Sequence, residues 1–244
     1  MTLEDSAIVS PNVKPLGGKA YGSIPHLPGS RMGPADHHCH EGQARILTER
    51  VRDRHDLIIV QEKLDGSCTS VALIGGEIVP LSRAGWRAET SPFEMHHIFA
   101  RWVYRNESRF RAVLQEGERI VGEWLAQAHG TRYALPHEPF VAFDIMRGKA
   151  RMAYEPFVER VSAGSFITPR LIHTGGPMSI EAVLGVLEPS GHGALDPVEG
   201  AVWRLERRGE VDMLAKYVRP DKVDGAYLPE QSGQPAVWNW HEEE

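Results

Sequence analysis

Between residues 56 and 82 three short apolar runs follow one another with almost nothing between them: "DLIIV" (56–60), "CTSVALI" (68–74) and "EIVPLS" (77–82). The first connection is the tight "LDG" (64–66) and the second a "GG" pair. Parallel neighbours need a crossover of a dozen or more residues, so connections this short leave only antiparallel ones. The expectation is a meander with strands at 56–62, 68–74 and 77–82. At the inner end of its first strand stands Lys63, in "QEKLDGS" (61–67). An ammonium is expensive to desolvate there. Either the side chain snorkels to the surface or its amine has chemistry to do.

The rest of the chain alternates between helical and strand periodicity. In "SPFEMHHIFARWVYRNESRFRAVLQEG", apolar residues at 95, 98, 99, 102, 103, 110, 113 and 114 predict one long helix. Ser91 is its expected N-cap, Pro92 its first residue, Glu94 the partner in a capping box, and Gly117 its end. Strands are expected at about 119–125 and 140–146, helical pieces at "YEPFVERV" and "SIEAVLGVL", and a closing hairpin at 199–206 and 211–218 around "RRGE". Antiparallel strands interrupted by helices define an α+β fold class. Residues 1–50, rich in Gly, Pro and His, are expected to form an irregular lead-in packed on a main domain of 51–225. Residues 226–244 are read as a short tail with a Trp238/Trp240 pair and a solvated "EEE" end.

Composition bounds the setting. No apolar run is long enough to cross a bilayer, and the polar start "MTLEDSAIVSPN" lacks the regions of a signal peptide. Two cysteines, Cys39 and Cys68, make no disulfide framework, so a reducing cytoplasm is the expected location. A net charge of −6 argues against a generic polybasic nucleic-acid coat while leaving room for a local basic groove.

Beyond Lys63, "SRAG" (82–85), "VGEWL" (121–125), "FVAFDIM" (140–146), "EGAVW" (199–203) and "LAKYVR" (214–219) each fall in or at the end of an expected strand. Taken singly, Phe143 reads as core, Glu123 and Glu199 as strand-end acids, and Lys216 as a solvated lysine. Their order as a set reverses that reading. The series resembles the motifs of the covalent nucleotidyltransferase superfamily, and its spelling is most similar to the ATP-dependent RNA ligase family. "EKLDGS" looks like the K-x-D-G nucleophile motif, and "YGSIPHLPGSR" (21–31) also resembles that family's lead-in. The resemblance implies a nucleotidyltransferase (ATP-grasp-like) fold, with antiparallel sheets flanked by helices.

The resemblance also implies chemistry. Lys63 is expected to take AMP from ATP as a lysyl-AMP phosphoramide, to pass it to an RNA 5′-phosphate end, and to see it displaced by a 3′-hydroxyl end. An amine attacks phosphorus only when neutral, so its pKa is expected to be depressed, by partial burial or nearby cations. Asp65 and Gly66 would make the turn. Glu123 would bind the ribose hydroxyls, with Arg83 near the sugar and α-phosphate; Phe143 would stack on adenine, with Gln61 and Glu62 at its flank. Lys216 would contact the α-phosphate, and Glu199 would hold a divalent cation, Mg²⁺ or Mn²⁺.

Some features depart from that pattern or stand outside it. Family ligases carry two lysines, K-x-K, in the fifth motif; here Leu214 takes the first place, and Arg219 is a candidate substitute. The "HHCHE" cluster, with His37, His38, Cys39 and His40, has zinc-like spacing but no second cluster to complete a site, and is read as a polar loop near the nucleotide or RNA. Arg101, Arg105 and Arg109 recur every four residues, a solvated stripe that could track an RNA backbone. About 25 residues follow Arg219, too few for the oligonucleotide-binding domain that DNA ligases and GTP-using capping enzymes carry there. Those enzymes, and a non-catalytic RNA-binding module, are the alternatives. A separate end-healing or RNA-binding partner protein is expected to assist joining; a membrane is not.

Overall fold

The computed structural model describes residues 13–242; the polar start and the last two glutamates lie outside the described residues. Two antiparallel sheets face each other. One has four strands, β1 (Asp56–Lys63), β7 (Leu171–Gly175), β8 (Gly200–Arg207) and β9 (Glu210–Val218), in the order β7-β1-β8-β9. The other has five, β2 (Ser67–Ile74), β3 (Glu77–Ser82), β4 (Glu118–Trp124), β5 (Phe140–Arg147) and β6 (Ala150–Arg151), in the order β3-β2-β4-β5-β6.

The three-strand meander is therefore corrected. β2 and β3 form the expected hairpin, but β1 pairs with β7 and β8 in the other sheet. The "LDG" turn carries the chain from one sheet to the other. At Gly66 an added Cβ would lie 2.5 Å from the Trp124 carbonyl oxygen, so only glycine lets the turn pass that close to β4. Strand β7 carried no periodicity strong enough to be expected from sequence; it is a five-residue edge strand.

The long helix is also corrected. Helix α2 spans Glu94–Arg105 and α3 spans Glu107–Val113. Between them the Asn106 side chain donates to the Trp102 carbonyl at 2.9 Å, the oxygen its own backbone N–H also addresses, and the helix breaks there. Ser91 does not cap: its Oγ accepts from the Phe93 N–H at 3.2 Å and pairs with His96 Nδ1 at 2.6 Å, while Phe93 takes the N-cap position. Pro92 accordingly stays outside the helix, and Gly117 sits in the turn before β4.

The lead-in contains one element the sequence reading left irregular, α1 (Glu41–Thr48), which buries Ala44 and Leu47. Ahead of it, Leu27 N–H donates to the Lys216 carbonyl (2.8 Å) and Lys216 N–H to that of Pro25 (2.9 Å), which stitches the lead-in to β9. Helix α4 (Tyr154–Ala163) covers the five-stranded sheet together with α2 and α3, over a core of Phe99, Trp102, Phe110, Trp124, Phe140 and Phe157. The short α5 (Ile180–Leu184) starts at Ser179, whose Oγ accepts from Ala182 N–H, and α6 (Pro229–Ser232) precedes the C-terminal strap. That strap is not a loose tail. Trp240 packs on Trp124 at 5.9 Å between ring centroids, and Glu242 pairs with Arg101 and Arg105 instead of standing free in solvent.

Candidate active site

Between the sheets opens a cleft of about 880 Å³. Gln61, Glu62, Lys63, Gly66, Arg83, Glu123, Phe143 and Lys216 all line it. They arrive from β1, the turn after it, the end of β3, β4, β5 and β9, so residues distant in sequence converge because the two sheets face each other. Asp65 and Glu199 do not line the cleft but stand behind Lys63. Lys63 ends β1 opposite Gly200, which brings Glu199 Oε2 to 2.5 Å from the Lys63 amine.

The electrostatics run against the expectation of a depressed lysine. Burial alone would lower the Lys63 pKa, but Glu199, Glu123 and Asp65 outweigh it and hold the amine above its ordinary value. The carboxyls show the reciprocal strain. Burial, opposed by Lys63, pushes Glu123 up to about 7 and also raises Glu199. The site as it stands holds a protonated lysine among crowded acids, short of positive charge. Buried oxygen donors of this kind suit a hard divalent cation. Among the described residues no three His, Cys, Asp or Glu side chains are arranged to hold a metal ion between them, so a cation at Glu199 and Glu123 would draw its other ligands from elsewhere.

The remaining side chains have defined partners. Arg83 Nη2 donates to Ser23 Oγ (3.3 Å) and to the Gly22 carbonyl (3.4 Å). Phe143 meets Tyr21 edge-on at 5.2 Å, leaving it on the cleft wall. Gln61 Nε2 donates to the Pro169 carbonyl (3.3 Å). Glu62 is spent on tethering a loop: its carboxylate accepts from Ser190 Oγ (2.5 Å) and Gly191 N–H (2.8 Å). Lys216 Nζ lies 3.6 Å from Asp36, which also pairs with His26 (3.2 Å); burial, then Lys63, lowers the Lys216 pKa. Leu214 lines the cleft as an apolar neighbour, and Arg219 pairs with Glu188 and Asp221.

The His-rich segment does not assemble a metal site. Cys39 is buried in the core, while His37, His38 and His40 are exposed. The segment does lie beside the cleft, through the His26 bridges to His38 and Lys216. The arginine stripe is divided by the helix break. Arg101 and Arg105, each about half exposed, share Glu242. Arg109 instead makes a bidentate pair with Glu138 (2.6 Å twice) and donates to the carbonyls of Gly164 and Ser165 (2.9 Å each).

Several cleft residues escaped the sequence reading: Trp86, Phe93, His96 and His129 on one rim, and Arg204 on the floor. His96 is held near pKa 4, chiefly by burial. Arg204 reaches Asp144 (3.3 Å) and Glu206 (2.7 Å), a buried charge network that joins β8 to β5 beneath the cleft. The one legible hint was charge at strand positions that ought to be apolar.

Two antiparallel sheets with helices make an α+β fold, and it is the comparisons that find the same fold in ligases. The family described as RNA ligase matches residues 56–218, and the chain belongs to it. An RNA ligase from Naegleria gruberi with pyrophosphate superposes at a TM-score of 0.55, with 15% identity over 96% of this chain and 64% of that one. A point mutant of that enzyme with ATP and manganese gives 0.53, with 13% identity over 86% and 62%. An archaeal ATP-dependent RNA ligase gives 0.45, with 20% identity over 70% and 44%. The chain thus spans less than two thirds of the length of these ligases. No curated protein matches it. Among the described residues no helix is long and apolar enough to cross a membrane.

Proposed function

We propose that the protein is an ATP-dependent RNA ligase working through a lysyl-AMP intermediate. The observation that carries this reading is the Lys63 amine in a nucleotide-sized cleft, 2.5 Å from a buried carboxylate, within the stretch that matches the RNA ligase family. Lys63 Nζ, its proton lost to water, forms a bond to the α-phosphorus of ATP; the bond from that phosphorus to the bridging oxygen breaks and pyrophosphate leaves. A 5′-phosphate oxygen of RNA then attacks the same phosphorus and Lys63 departs, regaining a proton. A 3′-hydroxyl, its proton lost to water, finally attacks the RNA phosphorus; the bond from that phosphorus to the oxygen bridging it to AMP breaks and AMP leaves.

The chain's side chains divide this work by position. Phe143 offers a face for adenine beside Gln61. Glu123 accepts from the ribose hydroxyls, while Arg83 and Lys216 neutralise charge gathering on the phosphates, so that catalysis is alignment plus electrostatics. Asp65 and Gly66 shape the turn, and Glu62 fixes the wall through its loop. Glu199 would hold Mg²⁺ or Mn²⁺ with Glu123 beside it; when bound, the cation supplies positive charge that offsets the acids keeping the Lys63 proton in place. For the RNA itself, Arg101 and Arg105 are the arginines of the stripe left near the surface. Arg109's donors are used inside the protein. RNA repair in the cytoplasm, helped by an end-healing partner, is the setting this reading favours.

The test is incubation with Mg²⁺ and either ATP or GTP, read by intact mass, followed by a 5′-phosphorylated nicked RNA. One AMP per chain and a joined strand are expected. A GMP adduct would indicate a capping-type enzyme, and no adduct a binding module.

A further inference from the structure

Behind the Lys63 turn sits a lysine that belongs to none of the six motifs. Lys222 is buried, and its Nζ lies 2.7 Å from Asp65 Oδ2 and also donates to Thr131 Oγ1. The same Asp65 oxygen accepts from Gly130 N–H at 2.9 Å. The segments are pressed together: a Cβ on Gly130 would lie 2.3 Å from the Val223 carbonyl oxygen and 2.9 Å from Asp65 Oδ2. Lys222 follows β9, which brings Lys216 to the cleft; Gly130 and Thr131 follow β4, which brings Glu123. The turn is otherwise tied by Gly66 N–H to Glu123 Oε1 (3.1 Å) and by Asp65 N–H to the Tyr133 hydroxyl (3.0 Å).

We infer that Lys222 is a positioning residue for nucleotidyl transfer. Through Asp65 it locks the turn that aims the Lys63 amine, and it holds that turn in register with the strands bearing Lys216 and Glu123. A buried ion pair is a poor way to gain stability, since an apolar pair of similar volume does as well. Its geometric rigidity is what this place can use, because a displacement of about 1 Å at a reacting atom is enough to cost on the order of a hundredfold in rate. Lys222 makes no contact with the nucleotide in this account; it acts through Asp65. The inference rests on the proposed ligase reading.

The experiment compares wild type with Lys222→Met and Lys222→Arg. It measures the AMP-adduct rate at saturating ATP, the ATP dissociation constant, and the melting temperature. Lys222→Met is expected to slow adduct formation at least tenfold with ATP affinity within about threefold, assayed well below its melting temperature. Lys222→Arg keeps a cation for Asp65 and should recover most of the rate. Should Lys222→Met not fold, Lys222→Gln, which keeps donors but no charge, takes its place with the same expected slowing. An adduct rate for the neutral variant equal to wild type overturns the inference. So does an arginine variant as slow as the neutral one. No adduct from wild type overturns the ligase reading instead.

Discussion

The floor of the cleft and the core beneath the five-stranded sheet are built on opposite principles. The core joins Phe99, Trp102, Phe110, Trp124 and Phe140, rings 5 to 6 Å apart, with Phe157 packed in the same cluster and little polar among them. At the cleft floor Lys63 and Glu123 are backed by Glu199, Asp65 and Lys222 behind the Lys63 turn, charges crowded where water is scarce. Apolar burial yields stability in proportion to area removed from water; buried charge returns little net stability, yet fixes geometry and shifts protonation. The two regions meet at Trp124, a core ring at the end of the strand that also carries Glu123. Stability and chemistry are thus separable here, and substitutions should affect one without the other.

The largest separation is expected at Lys63. Lys63→Ala should abolish the AMP adduct while the protein stays folded: the aromatic core loses nothing, and the fall in melting temperature is limited to leaving buried Glu199 without its partner. Lys63→Arg should be equally inactive, since guanidinium stays protonated. A folded Lys63 variant that still takes AMP would place the nucleophile elsewhere. Glu199→Ala should come next, with adduct formation reduced about a hundredfold and ATP affinity changed only a few-fold. Glu199→Gln should be nearly as slow, because a hard cation prefers a charged oxygen. Wild-type rates in either variant would leave Glu199 as an ordinary strand-end acid.

In the core the signs reverse. Trp124→Ala should cost ~3–5 kcal/mol of stability, read by denaturant melts, while the fraction that stays folded still forms adduct. Acid should act through buried histidines. Burial holds His26, His96 and His192 each near pKa 4 in the folded protein, below the ordinary value of 6.5. The unfolded chain therefore takes up protons first as pH falls from 6.5 towards 4, and stability is lost across that window, by up to ~3 kcal/mol per histidine. Glu123, pushed up to about 7, works in the opposite direction between 4.5 and 7 and offsets about one histidine. His192→Asn should make the acid slope of the melting temperature shallower, and an unchanged slope would remove His192 from the explanation. The smallest effect is expected from salt. Strand joining should fall on the order of tenfold between 50 and 200 mM salt for the few phosphate contacts available, while adduct formation hardly changes. Joining indifferent to salt would mean a tighter RNA grip than Arg101 and Arg105 provide.

Much of this was legible in the strands and little of it in the connections. The residues that line the cleft sit in or beside strands, but singly they read as core or solvated side chains; Lys63, Arg83, Glu123, Phe143 and Lys216 stood out only because their order resembles the RNA ligase motifs. What sequence could not carry was which sheet each strand joined. A three-residue connection reads as a hairpin, and only the close approach of Gly66 to Trp124 makes it a passage between sheets. The break at Asn106 turns on one side-chain hydrogen bond that periodicity does not register. Lys222 lies in a turn-rich stretch where a lysine is ordinarily solvated, and its burial follows from a fold-level contact with Asp65. A depressed lysine is what partial burial or nearby cations would give. Three carboxylates reverse that shift, and their number near Lys63 depends on sheet pairing.

Peptide-level mass spectrometry of the protein after incubation with ATP and Mg²⁺ locates the nucleotide. One AMP, joined through an acid-labile P–N bond to the peptide bearing Lys63, is the outcome this account predicts. AMP on the Lys216 or Lys222 peptide, or on none, would contradict it.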